Sequence, residues 1–273
     1  MLLFDDVELP ERSVPVGFRQ MGNMTLFEEA LLTKMRVHRG YEQATIALMW
    51  QRSQGSVSKY LAKWMPRWGA AGETLSLLDI TPAYLVHSYP HAYKEAGMDK
   101  VCALVDGKDF MTFTPRSNTI LTRAAWSNKV EHSAVRVVSW TSPKGLHFEH
   151  TDLFLAKVSE STLVSLWGPR LLKCPSGWDM LVDRGFAGTA TYYPNLNQQR
   201  SPSFLDGRVA FSADEVKADY EICKLRYTCE VAFARVTNEA ALRDVIPYDY
   251  FPHLDYMNHW AHGAANLLKP LKM

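Results

Sequence analysis

The sequence has little of what would mark a membrane, secreted or zinc-finger protein. None of its apolar runs approaches the roughly 18–20 residues needed to span a bilayer. Its start, MLLFDDVELPERSVP, carries acids where a secretory signal needs a basic start and an apolar core. The four cysteines, Cys102, Cys174, Cys223 and Cys229, form no C-x-x-C pair and no zinc-like spacing. Reduced thiols in an intracellular protein are therefore expected, nuclear in a eukaryote and cytoplasmic otherwise. Net charge is only +1, so any nucleic-acid surface must be local rather than global. There is no internal repeat and no low-complexity tract. What remains is a globular composition, 47% apolar and 22% charged, long enough for one large domain or a core domain with an appendage.

Taken in order, residues 1–20 read as an extended arm. Thr25 and Glu28 form a capping-box pattern that opens a helix running to Val37. Two further helices are expected at about 42–52 and 56–68, separated at Gly55, with Val57, Tyr60, Leu61 and Trp64 at helical spacing. Two short helices across a tight glycine turn outline a helix-turn-helix. Ser56, Ser58, Lys59 and Lys63 at the start of its second helix are candidates for phosphate contact. An ordinary helical hairpin packed on the core fits the same pattern.

Residues 70–80 read as a linker, and Thr81-Pro82 opens another helix with a break at Pro90. A domain boundary is set near residue 98, with a helical region over 1–98 and a sheet domain over 99–273. Val101–Val105 is a dense apolar run ending in Asp106 and Gly107, as expected of a strand buried on both faces. Residues 108–128 read as a polar hairpin or loop, 134–140 and 146–153 as strands, and Ser159 or Ser161 as the cap of a helix through Leu166. Residues 167–175 read as a loop. A second apolar run, Trp178–Val182, ends in Asp183. After a turn-rich stretch, Ser212 opens a helix to about Arg235, and a last helix spans roughly 254–268. The order predicts a mixed α/β sheet flanked by helices.

Asp106 and Asp183 stand in equivalent places, each ending a buried strand and each followed within two residues by glycine. If those strands are parallel neighbours, both carboxylates leave the same sheet edge, where ligands bind in open α/β sheets. Two carboxylates in one desolvated place call for a cation between them. The helix over 213–235 offers Glu230, at the edge of an apolar stripe read as Val216, Tyr220, Cys223, Tyr227, Val231 and Ala234. Glu230 equally suits a surface pair with Arg226, one turn earlier. Three acids on two strands and a helix match the needs of two-metal phosphoryl transfer, with Mg²⁺ or Mn²⁺ on hard oxygen ligands about 4 Å apart.

The segments ALVDG (103–107), MLVDRGF (180–186) and RYTCEVAFARV (226–236), in that order, resemble motifs of the DDE-superfamily transposase endonucleases of the PIF/Harbinger type. The resemblance runs from about residue 25 to the C-terminus and includes the closing stretch from Ile246 to Pro270. It implies an RNase H-like five-stranded sheet with Asp106, Asp183 and Glu230 as metal-binding acids, a helix-turn-helix at 42–68, and metal-dependent cleavage of DNA, possibly with strand transfer. It also implies DNA as partner, an accessory DNA-binding protein and a possible homo-oligomer. Where relatives carry Gly followed by Ser-Asp after the third strand, this chain has Ala156-Lys157-Val158-Ser159-Glu160. The alternative is a domesticated relative that binds DNA or protein without catalysis.

Arg116, Arg123 and Lys129, with Arg136, are further candidates for DNA phosphates, and a solvated hairpin fits them equally well. His259-x-x-His262 lacks a third ligand at metal spacing and reads as structural or surface histidines.

Overall fold

A computed structural model describes residues 24–76, 80–116, 118–167, 174–186 and 188–271. The arm expected over 1–20, residues 77–79 of the expected linker and residues 168–173 of the expected loop lie outside them.

Three helices open the described chain: α1 (Leu26–Arg39), α2 (Gln43–Met49) and α3 (Gln54–Ser76). The Thr25–Glu28 capping box forms as expected, and Gly40 ends α1 in the left-handed region. The α2–α3 turn falls at 50–53 rather than at Gly55. Gln51 adopts a positive φ, and Ser53 Oγ accepts from the Ser56 amide, so Gly55 and Ser56 already lie inside α3.

Helix α3 also runs through most of the expected linker. Its Ala and Gly residues allow close packing rather than flexibility: a Cβ at Gly72 would meet the His259 carbonyl oxygen at 2.2 Å, and one at Gly263 the Gly72 oxygen at 2.2 Å. Only glycine lets α3 cross α9 (Leu254–Ala265) at backbone contact. Short helices α4 (Pro82–Ser88) and α5 (His91–Glu95) follow.

Among the described residues the sheet contains seven strands: β1 (Val101–Met111), β2 (Trp126–Ser127), β3 (His132–Thr141), β4 (His147–His150), β5 (Phe154–Leu155), β6 (Asp179–Leu181) and β7 (Gln198–Arg200). The path is β2-β3-β1-β6-β7, with β4 and β5 also paired to β3. The path itself has the five strands expected, and β4 and β5 are added at β3. β1 pairs antiparallel with β3 and parallel with β6. It does not stop at Asp106 but continues to Met111, because β3 pairs with it as far as Ala134. The stretch read as a polar loop also forms helix α6 (Thr119–Ala125), capped by Asn118.

Helices α7 (Glu160–Trp167) and α8 (Ala213–Val236) cover opposite faces of β1. Val101, Leu104 and Leu181 pack with Ile222, Leu225 and Cys229 of α8. Cys102, Val105, Val138 and Val182 pack with Leu163 and Val164 of α7. The buried stripe of α8 is therefore Ile222, Leu225, Cys229, Ala232, Phe233 and Val236. The stripe expected from sequence is displaced around the helix, and its Val216, Tyr220 and Tyr227 are exposed. Both sets recur at steps of three and four, and the tyrosine rings count as apolar only if their hydroxyls are ignored.

A third cluster joins Leu32, Val37, Ile46, Val57 and Leu61 of the N-terminal helices to Phe110, Val137 and Phe233. The regions on either side of residue 98 thus share one core. Among the described residues, no helix is long and apolar enough to cross a membrane.

Candidate functional site

The parallel register of β1 and β6 sets Leu104 opposite Leu181, so two residues further on Asp106 and Asp183 come level with each other. The side chains on β1 alternate. Asp106 lies on the α8 side with Leu104, and Gly107 on the α7 side with Val105. From α8, Arg226 reaches both acids, with Nη2 at 3.5 Å from Asp106 Oδ1 and Nη1 at 3.3 Å from Asp183 Oδ1. From the other side Glu160, the first residue of α7, fills the gap that glycine leaves. A Cβ at Gly107 would lie 2.2 Å from its Oε1, and one at Gly185 3.0 Å from its Oε2. Lys129 Nζ closes the edge, donating to the Gly107 carbonyl at 2.9 Å and standing 4.0 Å from Glu160 Oε1.

Burial pushes the Asp106 carboxyl above its ordinary range; Lys129, Arg226 and the Gly107 amide act against that, and Asp183 adds to it. Glu160 is raised for the same leading reason, opposed by Lys129 and Arg136 and assisted by Asp106 and Asp109. Two desolvated carboxylates favour any cation that approaches.

A second arginine–aspartate pair three residues along β1 gives the comparison that matters. Asp109, its side chain fully buried, takes a two-pronged contact from Arg136, Nε–Oδ1 at 2.7 Å and Nη2–Oδ2 at 2.8 Å, while Ser127 Oγ donates to Oδ2. Arg136 also donates to the Val158 carbonyl. That is a closed structural pair, with the Arg136 guanidinium engaged by Asp109 and the Val158 carbonyl. Burial alone would raise Asp109, but the Arg136 and Ser127 bonds outweigh it and hold the carboxyl below its usual range. Arg226 is held less firmly. Its two ion pairs are longer than charge-assisted bonds normally are, and its buried Nε has no hydrogen-bond partner among the described residues.

Glu230 lies one turn beyond Arg226 on the same side of α8, but its side chain is exposed. It makes no ion pair with Arg226 among the described residues, because Arg226 turns to the aspartates. The structure thus brings Asp106, Asp183, Glu160 and Lys129 together and leaves Glu230 at the rim. Glu160 is the residue that sequence reasoning did not use. Its signal was the pairing of an acid at a helix start with glycines after both aspartates.

The donor chemistry, hard carboxylate oxygens in a partly desolvated pocket, fits a hard divalent cation. In the arrangement described, however, Arg226 supplies the positive charge, and no three His, Cys, Asp or Glu side chains among the described residues converge closely enough to hold a metal.

The other nucleic-acid candidates are scattered. Ser58, Lys59, Arg116 and Arg123 are exposed and Ser56 is half-buried, while Lys63 pairs with Glu29 at 2.5 Å. His259 and His262 are neither isolated nor on the surface. They pack against His147 and His150 of β4, with the His150 and His262 rings stacked at 4.3 Å and His150 Nε2 2.8 Å from His259 Nδ1. Comparison with known proteins gives no match to this chain among family models, curated proteins or solved structures.

Proposed function

We propose that the chain is a divalent-metal-dependent DNA endonuclease of the transposase type, built on an RNase H-like core. The supporting observation is the contrast on β1: Asp109 is closed by a tight arginine pair, whereas Asp106 and Asp183 share one loosely held guanidinium. Carboxylates arranged only for structure would be closed as Asp109 is.

In this reading Asp106 and Asp183 hold Mg²⁺ or Mn²⁺. Glu230, implied by the resemblance, completes the set from the rim, and Glu160 adds negative charge from the α7 side. The metal supplies Lewis acidity at a phosphodiester oxygen and an activated water. Arg226, displaced from the acids, binds the anionic phosphate, for which a guanidinium is suited. Lys129 contributes a second positive charge at the same edge. DNA lies across this edge, and the α2–α3 hairpin serves as its helix-turn-helix contact through Ser58 and Lys59. An accessory DNA-binding partner, self-association and strand transfer belong to the same reading. The test is cleavage of DNA with Mg²⁺ or Mn²⁺ by wild type and Asp106→Ala; equal cleavage by the two disproves the mechanism.

A second reading has its own observation. Arg226 already balances both aspartates, as it would in a DNA- or protein-binding module that never takes a metal. Folded protein that binds no Mn²⁺ would favour it.

A further inference from the structure

At the far end of β1 lies a cavity of about 870 Å³ walled by Phe113, Pro115, Arg116, Leu121, His132 and Tyr248. It is built by two elements that meet there. The Thr112 position bridges to Ile246, and the Phe113 amide donates to the Ile246 carbonyl at 3.0 Å, which brings Tyr248 beside the strand end. Phe113 and Tyr248 meet edge to face at 6.1 Å, and Tyr248 meets Phe251 at 5.7 Å. These side chains are not core: the rings of Phe113 and Tyr248 are 49% and 47% exposed, and the neighbouring Leu121 41%.

Exposed rings gathered around a cavity mark a binding site more often than chance, and the charge of this wall narrows the occupant. Among the described residues that line it are an arginine and a histidine and no carboxylate. Nearby Asp249 is held by Arg36. Aromatic faces beside a cation, with no acid, form the stacking platform that accepts unpaired bases and their phosphates.

We propose that this cavity binds an unstacked nucleotide of a single-stranded segment, with the base against Phe113 and Tyr248 and Arg116 on its phosphate. The proposal rests on the DNA reading of the acid site and extends it by naming the substrate form. Phe113 follows Asp106 at roughly 20 Å of strand length. The segment after β2 spans the interval, with Lys129 at the acids and His132 in the cavity wall. A strand cut at Asp106 would thus be gripped a few nucleotides away.

The test is binding of a short fluorescent oligothymidylate to the full chain in chelator, so that cleavage does not enter. Phe113→Ala and Tyr248→Ala should each weaken binding roughly tenfold, as loss of one stacked base does. Arg116→Gln should lower the salt dependence by about one ion. Both rings are half-exposed, so the variants should melt with wild type. A 2-aminopurine placed in the strand should be quenched by wild type and not by Phe113→Ala. Unchanged affinity in both ring variants overturns the proposal, as does tighter binding of closed duplex than of single strand. Loss of self-association in Phe113→Ala with unchanged strand binding would assign the cavity to a second copy instead. If cleavage needs Asp106 yet the ring variants bind normally, the cavity proposal fails alone. If the ring variants bind poorly yet Asp106→Ala cleaves normally, the nuclease reading fails alone.

Discussion

Asp106 and Asp109 differ in how completely each is matched, and that difference sets what their loss should do. Asp109→Asn leaves the Arg136 guanidinium, only 12% exposed, without its bonded carboxylate, with Glu160 as the remaining acid that acts on it. Loss of one partner of such a pair costs about 3–5 kcal/mol, measurable by urea unfolding. Arg226→Ala should cost less, roughly 1–2 kcal/mol, since Asp183 is 49% exposed and water substitutes for the guanidinium there. The same variant should bind Mn²⁺ more tightly than wild type and regain stability when Mn²⁺ is added. A variant that loses stability but gains no Mn²⁺ affinity would show Arg226 to be structural. The pair Asp106 and Asp183 was legible because both end apolar runs before glycine. Arg226 was legible only as a possible partner for Glu230, because one sequence cannot show which way a helix is turned.

At the scale of elements, two glycines make opposite predictions. In Gly72→Ala the new methyl meets backbone of α9, which cannot yield. The α3–α9 crossing must open, at a cost of roughly 2–3 kcal/mol, read as a lower midpoint of denaturation. In Gly107→Ala the obstacle is the tip of the Glu160 side chain, which can swing away. That variant should keep wild-type stability within about 0.5 kcal/mol while losing cleavage or Mn²⁺ affinity; a large loss of stability would instead make Glu160 a packing residue. Neither role is written in local sequence. Gly69, Ala71 and Gly72 have the composition of a linker, and only the approach of α9 makes them a helix crossing. The α8 stripe failed for a related reason: helical spacing gave two candidate faces, and packing on Leu104 and Leu181 selected one. The α1 capping box and the β1 apolar run were readable, because each depends on neighbouring residues or on one continuous run, whereas the parallel placement of β6 beside β1, a pairing across some 77 residues of chain, stood only as a condition.

For the molecule as a whole, the histidine cluster couples folding to pH. His147 is fully buried and its pKa is pushed down to about 4, first by burial and then by Arg235, against a bond to the Ala232 backbone. His262 is lowered well below its ordinary value, by burial and by His150 and His147. Both are neutral when folded and take a proton more readily when unfolded. Their stability contribution is therefore complete above about pH 6.5 and is lost as pH falls toward 4, by on the order of 3 kcal/mol for His147. His259 acts in the opposite sense. Burial lowers it, but Asp152, Glu73 and Asp255 raise it overall, so its charged form stabilises below its unfolded value and that gain is lost as pH rises. His147 and His262, with the lowered His253, outweigh His259 and the raised Asp106 and Glu160 carboxyls, which act in the opposite sense as pH falls; the expected result is net acid sensitivity, visible as weaker resistance to urea at pH 4.5 than at pH 7.5. Equal resistance would contradict the burial of the pair. Across the sheet, with β3 between them and the histidines of β4, Asp106 and Asp183 are proposed to form a divalent-cation site guarded by a displaceable arginine. Calorimetric titration with Mn²⁺ tests it most directly. Wild type should bind Mn²⁺, and Asp106→Ala and Asp183→Ala, both folded, should each weaken binding by at least about tenfold. Absence of binding to folded wild type, or undiminished binding by Asp106→Ala, would contradict it.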